Sequence, residues 1–329
     1  MIEIIFTGGT IGSRAFSDGS VSVDRERGYR LISMYEEKYG ALDYRPREPY
    51  RILSENFSLA KLKLLADAVG DALKGKPEGV IITHGTDSLP YAAAFLSYLF
   101  ADAQAPVVLV SSNYILDDPR ANGLDNFKYA VDFIRSRAGR GVFVSYRNSG
   151  GAPMIHRGSR LQNAPAFSDD VSSVLGGEYG GFASGVFLKS ADYRVAESND
   201  NSFLKYSSDD AYESAQGSVL WLRSQLALPD IIIPEGVRAV LLDSFHSGTV
   251  GTEGLRGVLE QAKERGLPVF LTGLSSGATQ YETILKYAEN GIIPLIDRAP
   301  VSQYSKLLLL IAKKKDIPDG MARACGEEI

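Results

Sequence analysis

The chain of 329 residues holds one cysteine, Cys325, and three histidines, His84, His156 and His246. A single thiol cannot close an internal disulfide, and imidazoles so far apart do not suggest a metal-binding pair, so neither a disulfide framework nor a metal centre is expected. Basic charge is not in excess, since 35 Lys and Arg face 40 Asp and Glu for a formal charge of -5. Nucleic acids and anionic membranes attract basic patches, so neither is expected as the main partner and a small molecule is favoured. No apolar run reaches the ~20 residues that span a bilayer. The chain enters a strand-like run at Ile2 with no basic region ahead of a cleavable apolar stretch, which predicts a cytoplasmic protein. Internal repeats, coiled-coil heptads and low-complexity tracts are also missing.

What is present begins with two short apolar runs, each followed by a threonine-bearing turn. Ile4-Ile5-Phe6 leads into Thr7-Gly8-Gly9-Thr10-Ile11-Gly12, and Val80-Ile81-Ile82 leads into Thr83-His84-Gly85-Thr86-Asp87-Ser88. Runs so short and so rich in β-branched residues read as central parallel strands, which puts both turns at strand carboxyl ends. Gly8, Gly9 and Gly85 permit sharp turns and close approach of a ligand to the backbone, whose exposed amides can hold an anion or carboxylate. The first turn lacks the glycine spacing and lysine of a P-loop and the third glycine of a dinucleotide fingerprint, so nucleotide binding is disfavoured and no cofactor is expected. Leu89 to Phe100 reads as an Ala-rich helix, with Thr86, Asp87 and Ser88 at its N-terminus. There they serve either chemistry or ordinary capping.

Strand-like and amphipathic segments alternate through residue 146: Ile2 to Phe6, helix Leu59 to Leu73, Gly79 to Thr83, the helix from Leu89, Pro106 to Val110, a helix near Asn126 to Arg135, and Gly141 to Tyr146. This alternation predicts a parallel sheet wound on both faces. Ser149 to Gln216 is rich in Gly, Ser, Asp and Asn, which fits loops and hairpins followed by a linker. Alternation resumes with Ala239 to Leu242, helix Thr252 to Arg265, Pro268 to Leu271, helix Tyr281 to Glu289, Ile292 to Ile296 and Ser302 to Ala312. The expected organisation is an α/β chain of two domains, a larger doubly wound, mainly parallel N-terminal domain over 1–205, a linker over 206–216 and a smaller α/β domain over 217–329.

In order along the chain, Thr7-Gly8-Gly9-Thr10-Ile11 and His84-Gly85-Thr86-Asp87-Ser88 resemble the two signature loops of the bacterial L-asparaginase family. Ser54-Glu55, after Arg51-Ile52-Leu53, resembles the Ser-Gln/Glu pair that holds the substrate's α-carboxylate and α-amino group there. The likeness continues through Val107 to Ala130, with Asp118, Asn122 and Asn126, and through the smaller domain to Ile311. The resemblance implies a two-domain asparaginase-like fold and hydrolysis of the side-chain amide of L-asparagine, or of a related small amide, to acid and ammonia. It implies Thr10 as nucleophile, Thr86 as second catalytic hydroxyl, and Asp87 as both substrate ligand and partner in proton transfer. Gly9, Ser54, Glu55, Gly85 and Ser88 would bind substrate, with no metal or cofactor. A homodimer or homotetramer is implied too, with His246 and Thr249 on a loop that in relatives reaches a neighbouring subunit's site. His84 is expected beneath its loop rather than as a base.

Two family features are replaced. A tyrosine expected a short distance beyond Thr10 is Ser20 by ungapped count, with Phe16 and Tyr29 the nearest aromatics, and a lysine expected after Arg160-Leu161-Gln162 is Asn163. A threonine hydroxyl is a weak nucleophile without an activator. Arg157, Arg160 and Lys189 are candidate substitutes for the missing cation, and Ile11 to Tyr29, with Gly12 and Gly19, is read as a lid over the site. The alternatives are an amino-acid-binding protein with little turnover, an amidase for another small amide, and a subunit that hands ammonia to a partner.

Overall fold

Most of the apolar runs become strands buried on both faces. A computed structural model describes the chain except at residues 17, 19, 24, 195–200, 278, 280 and 329 and the side chains of 25–28, so expected Gly19 lies outside the described residues. Two compact units result: Met1–Arg194 with Lys205–Asp209, and Val195–Leu204 with Asp210–Ile329.

The first unit runs β1 (Ile2–Phe6), β2 (Ser13–Ala15), β3 (Val21–Val23), α1 (Arg25–Tyr39), β4 (Tyr44–Arg47), α2 (Leu59–Lys74) and β5 (Val80–Thr83). It continues with α3 (Leu89–Leu99), β6 (Val107–Val110), α4 (Gly123–Ser136), β7 (Val142–Arg147), β8 (Pro153–Arg157), β9 (Gly180–Ala183) and β10 (Val186–Lys189). Eight of the strands form one sheet in the order β10-β9-β8-β7-β6-β5-β1-β4. Pairing is parallel from β4 to β7 and antiparallel from β7 to β10. β1, β5 and β6 are buried at every position, which is why they read as unbroken apolar runs rather than alternating ones. Leu31, Ile32 and Tyr35 of α1 pack with Phe127, Val131 and Ile134 of α4 into one core cluster. Glu3 is the charged exception within β1: it is wholly buried and meets Arg47 at 2.6 Å and Arg45 at 3.4 Å on the neighbouring edge strand. That edge strand also contains Pro46, which an edge tolerates because its outer amide side needs no partner. Residues 205–209 return to this unit because Tyr206 donates to Asp67 at 2.8 Å and stacks on Phe100.

The second unit runs β11 (Val219–Arg223), β12 (Ala239–Asp243), α5 (Arg256–Glu264), β13 (Val269–Leu274), α6 (Glu282–Leu285), β14 (Ile292–Ile296), α7 (Pro300–Ala312) and α8 (Ile317–Ala322). Its four strands pair in parallel in the order β11-β12-β13-β14. Behind α7 the wholly buried Lys306 donates to Glu327 at 2.7 Å and to the Arg323 carbonyl at 2.6 Å, which seats the last turn of the chain. Cys325 is buried beside this pair, and burial pushes its thiol up to about 12, so it is held as an unreactive thiol.

Three elements differ from expectation. The segment Ile11 to Tyr29, read as a loop, contains a β2–β3 hairpin followed by the start of α1. The helix expected over Tyr281 to Glu289 has only one regular turn, because Tyr287 is buried and its hydroxyl donates to the Gly248 carbonyl and accepts from the Val250 amide. β11 is a strand that the sequence pattern did not predict, just past the linker expected over 206–216 and inside the expected smaller domain. No described helix is long and apolar enough to cross a membrane.

Candidate active site

β1 and β5 are neighbours in parallel, with Phe6 opposite Thr83, so the two threonine turns leave the same edge of the sheet side by side. A hydrogen bond closes the base of the pair, the Thr7 hydroxyl donating to the Thr83 carbonyl at 2.7 Å. A third segment joins from the other flank. The Ile52 amide donates to the Thr7 carbonyl at 3.1 Å and the Gly9 amide to the Ile52 carbonyl at 2.9 Å, which stitches the approach to Ser54 onto the first turn.

The three segments then touch through glycine. Gly9 has φ of +73°, and a Cβ built on it would lie 2.4 Å from both Cα and N of Gly85. A Cβ on Gly85 would lie 2.4 Å from Cβ and Oγ of Ser54. Any side chain at either position would part the stack, so both glycines are set by close approach and the first also by backbone conformation. Thr10 and Thr86, the residues that follow them, are half-buried, while Asp87 and Glu55 are exposed.

The serines are not helix caps. Ser88 stands at the N-cap of α3 but its side chain makes no capping bond; it donates to the Ser54 carbonyl at 2.8 Å. Ser54 donates in turn to the Asp87 carboxylate at 3.0 Å, and α2 is capped by Ser58 instead. The pair therefore ties the second turn to the third segment and aims one carboxylate oxygen. Among the described residues Asp87 has no Lys, Arg or His within ion-pair distance.

The proposed substitute cations are committed elsewhere, which corrects that expectation. Arg157 donates to the Arg140 carbonyl at 2.6 Å, Arg160 donates to the Arg194 carbonyl at 2.8 Å with its guanidinium over Tyr193, and Lys189 lies over Tyr179 and Tyr193. Asn163 is half-buried. Ser20 sits in the turn of the hairpin, its hydroxyl and amide both donating to Asp18, and Tyr29 packs its ring against Phe6 at 5.7 Å. Asn122 and Asn126 brace the sheet edge: Asn126 donates to the Ser111 carbonyl and accepts from the Arg147 amide, and Asn122 donates to the Arg147 carbonyl. Asp118 is held by Arg120. In the second unit His246 is exposed, and the Thr249 hydroxyl is 2.8 Å from that of Ser247.

Two buried groups flank the site. His84 pairs Nδ1 with the Gly85 carbonyl at 2.9 Å against the ring of Phe57, and burial pulls its pKa down to about 4, so the imidazole is neutral and braces the turn. Tyr50, to which sequence reasoning assigned no role, is buried beside Phe57, and burial raises its phenol while the nearby Thr7 hydroxyl opposes that shift. Its only sequence signal is its place just ahead of Arg51 and the serine segment.

Two outcomes follow from this geometry. Gly9→Ala, which must fit a Cβ into Gly85 at a left-handed φ, costs about 1–3 kcal/mol in urea denaturation. Gly12→Ala, where a Cβ meets nothing within 4 Å, stays within about 0.5 kcal/mol. His84 and His156 are both lowered from 6.5 to about 4 by burial. A folded value below the unfolded one favours the neutral form, so this contribution is complete above pH 6.5 and is lost as pH falls toward 4. Denaturation midpoints measured across that window should fall with acid, and less steeply in His156→Gln.

Residues 1–173 match the family described as Asparaginase, N-terminal. The chain is 22% identical over 338 residues to a Glutamyl-tRNA(Gln) amidotransferase subunit of Pyrococcus horikoshii, covering 97% of this chain and 73% of that protein. It is 26% identical over 339 residues to the corresponding amidotransferase subunit of Haloquadratum walsbyi, covering 100% and 75%. Among solved structures, the thermostable L-asparaginase from Thermococcus kodakarensis superposes with a TM-score of 0.79 at 20% identity, covering 100% of this chain and 98% of that one. L-asparaginase I from Vibrio cholerae superposes with a TM-score of 0.76 at 24% identity, covering 100% and 98%. These superpositions give the fold, a two-domain α/β architecture with a large parallel-dominated sheet and a smaller parallel one. With more than half its length matched by the family, the chain belongs to the asparaginase family of amidohydrolases.

Proposed function

We propose that the chain hydrolyses the side-chain amide of L-asparagine, or of a related small amide, through Thr10. The observation that carries this reading is the backbone contact of Gly9 with Gly85, which sets the residues after them, Thr10 and Thr86, on adjoining turns beside the Ser54–Asp87 pair. The Thr10 oxygen attacks the amide carbon, the C–N bond breaks, and the nitrogen leaves as ammonia after taking up a proton. Water then attacks the acyl-threonine ester, releasing the acid and restoring the hydroxyl. Amides of the glycine turns stabilise the oxyanion of both steps. Asp87, exposed and without a cation among the described residues, takes the substrate's α-ammonium as its counter-ion, while Ser54 fixes the carboxylate's direction and the exposed Glu55 that follows it contributes a second acidic group to substrate binding. Thr86 orients the amide or the water, and Ser88 and Gly85 hold the turn.

Ammonia release from L-asparagine should fall by ~10³-fold or more in Thr10→Ala and also fall steeply in Thr86→Ala. Activity that survives Thr10→Ala removes the nucleophile from its role. A second reading has its own support: Ser20 is bound to Asp18, and no cation attends Asp87 among the described residues, so a pocket that binds aspartate with little turnover is the alternative. Calorimetric binding of aspartate without ammonia from any small amide would favour it. The relatives named as amidotransferase subunits support a further variant, in which the ammonia passes to a partner. We also propose a homodimer or homotetramer, in which the loop with His246 and Thr249 faces a neighbour's site; multi-angle light scattering showing only a monomer would refute this.

A further inference from the structure

The second unit contains a cavity of about 330 Å³ that none of the residues above uses. It opens where β11 and β12 end, between the loop that leaves β11 and the turn that leads into α5, at the carboxyl edge of a parallel sheet where small-molecule clefts commonly form. Its floor is hydrocarbon, from Leu222, Leu228, Leu242 and Leu255, with the half-open ring of Phe245 at one side. Two glycines leave the remaining space. A Cβ at Gly251 meets nothing within 4 Å, and one at Gly254 comes no nearer than 3.7 Å to any atom outside its neighbours. Neither has a positive φ, so the backbone does not require glycine at either place.

Arg223 is the one charged side chain lining this space among the described residues. Its side chain is 80% exposed, and its Nε forms a long ion pair with Asp243 at 3.7 Å, beyond hydrogen-bond distance, which leaves the terminal amino groups of the fork for an incoming anion. We propose that the cavity binds a small carboxylate with a compact apolar body, branched or aromatic. The hydrocarbon enters the leucine floor, and the carboxylate meets the fork of Arg223 at the rim, a geometry suited to bidentate contact. Among the described residues no acidic side chain lines the space itself, and Asp243, the ion-pair partner of Arg223, is outside the lining, so the charge that faces the cavity is that of the guanidinium. A volume near the lower end of the ~300–1,000 Å³ range of ligand clefts limits the body to about one ring or a short branched chain.

The test is titration calorimetry on the full chain with 3-phenylpropionate, against 3-phenylpropan-1-ol and 3-phenylpropylamine. Saturable one-to-one binding of the carboxylate, about tenfold tighter than the alcohol and with no binding of the amine, is expected. Arg223→Gln, an exposed change, brings the carboxylate to the alcohol's level, and Gly254→Leu, which fills the space, abolishes both with an unchanged circular dichroism spectrum. Thr10→Ala leaves binding intact, which separates this cavity from the threonine turns. No saturable binding below about 10 mM, or binding unaltered in Gly254→Leu, overturns the site; unaltered binding in Arg223→Gln overturns the carboxylate assignment. Should Gly254→Leu fail to fold, Gly251→Val takes its place.

Discussion

The contact of two backbones without side chains between them, Gly9 on Gly85, is the constraint on which the site depends. Parallel register alone brings the ends of β1 and β5 to strand spacing, and ordinary turns would then diverge under the bulk of their own side chains. Removing Cβ at both positions lets the turns close to contact, with Ser54 lying against the second glycine. Every polar tie in the neighbourhood presupposes that closeness: Thr7 to Thr83 at the base, Ser88 to Ser54 across the turns, and Ser54 to Asp87 at the open rim. None of these bonds is strong singly, at roughly 0.5–1.5 kcal/mol net each, so it is packing that places the groups and the bonds that fix their direction.

The electrostatics beneath and above that contact differ in kind. Below it, burial keeps His84 neutral and the Tyr50 phenol protonated, so neither can accept or release a proton near neutral pH, and both act as packing with a hydrogen-bond end. Above it, Asp87 is open to solvent with one serine partner and no cation among the described residues. In the reaction proposed above, the ammonium of the substrate supplies the charge complement that the chain itself does not place beside Asp87.

Much of the fold was legible because β1, β5, β6 and β12 are buried on both faces and so read as short β-branched runs; they fall where those runs predict them, as does β14, although three of its five residues are exposed. The less regular parts were not legible. The β2–β3 hairpin is built from Ser13-Arg14-Ala15 and Val21-Ser22-Val23, too short and polar to show alternation, and α1 is so polar that its pattern is weak. The shortened α6 follows from the burial of Tyr287, a tertiary demand with no local signal. At the site, of the two roles that sequence left open to Ser88, capping is not made: Ser88 and Ser54 each bond across to another segment, a choice set by the glycine contact and invisible to a window of neighbours. The expectation that Arg157, Arg160 or Lys189 would replace the missing lysine failed for a similar reason, since the aromatic rings of Tyr179 and Tyr193 and nearby carbonyls hold these cations in place.

Taken separately, the two units solve the same geometric problem with opposite means. A parallel sheet delivers its loops to one edge, and what that edge can bind depends on what the loops leave unfilled. In the first unit the glycines bring backbones together, so the open side is a small polar rim suited to a charged, hydrogen-bonding molecule. In the second, Gly251 and Gly254 face empty space rather than a neighbour, and the same edge becomes an apolar hollow with one guanidinium at its mouth. Glycine at a strand-to-helix connection is thus ambiguous in sequence: it marks either a close backbone contact or an open space, and only the atoms across from it decide which.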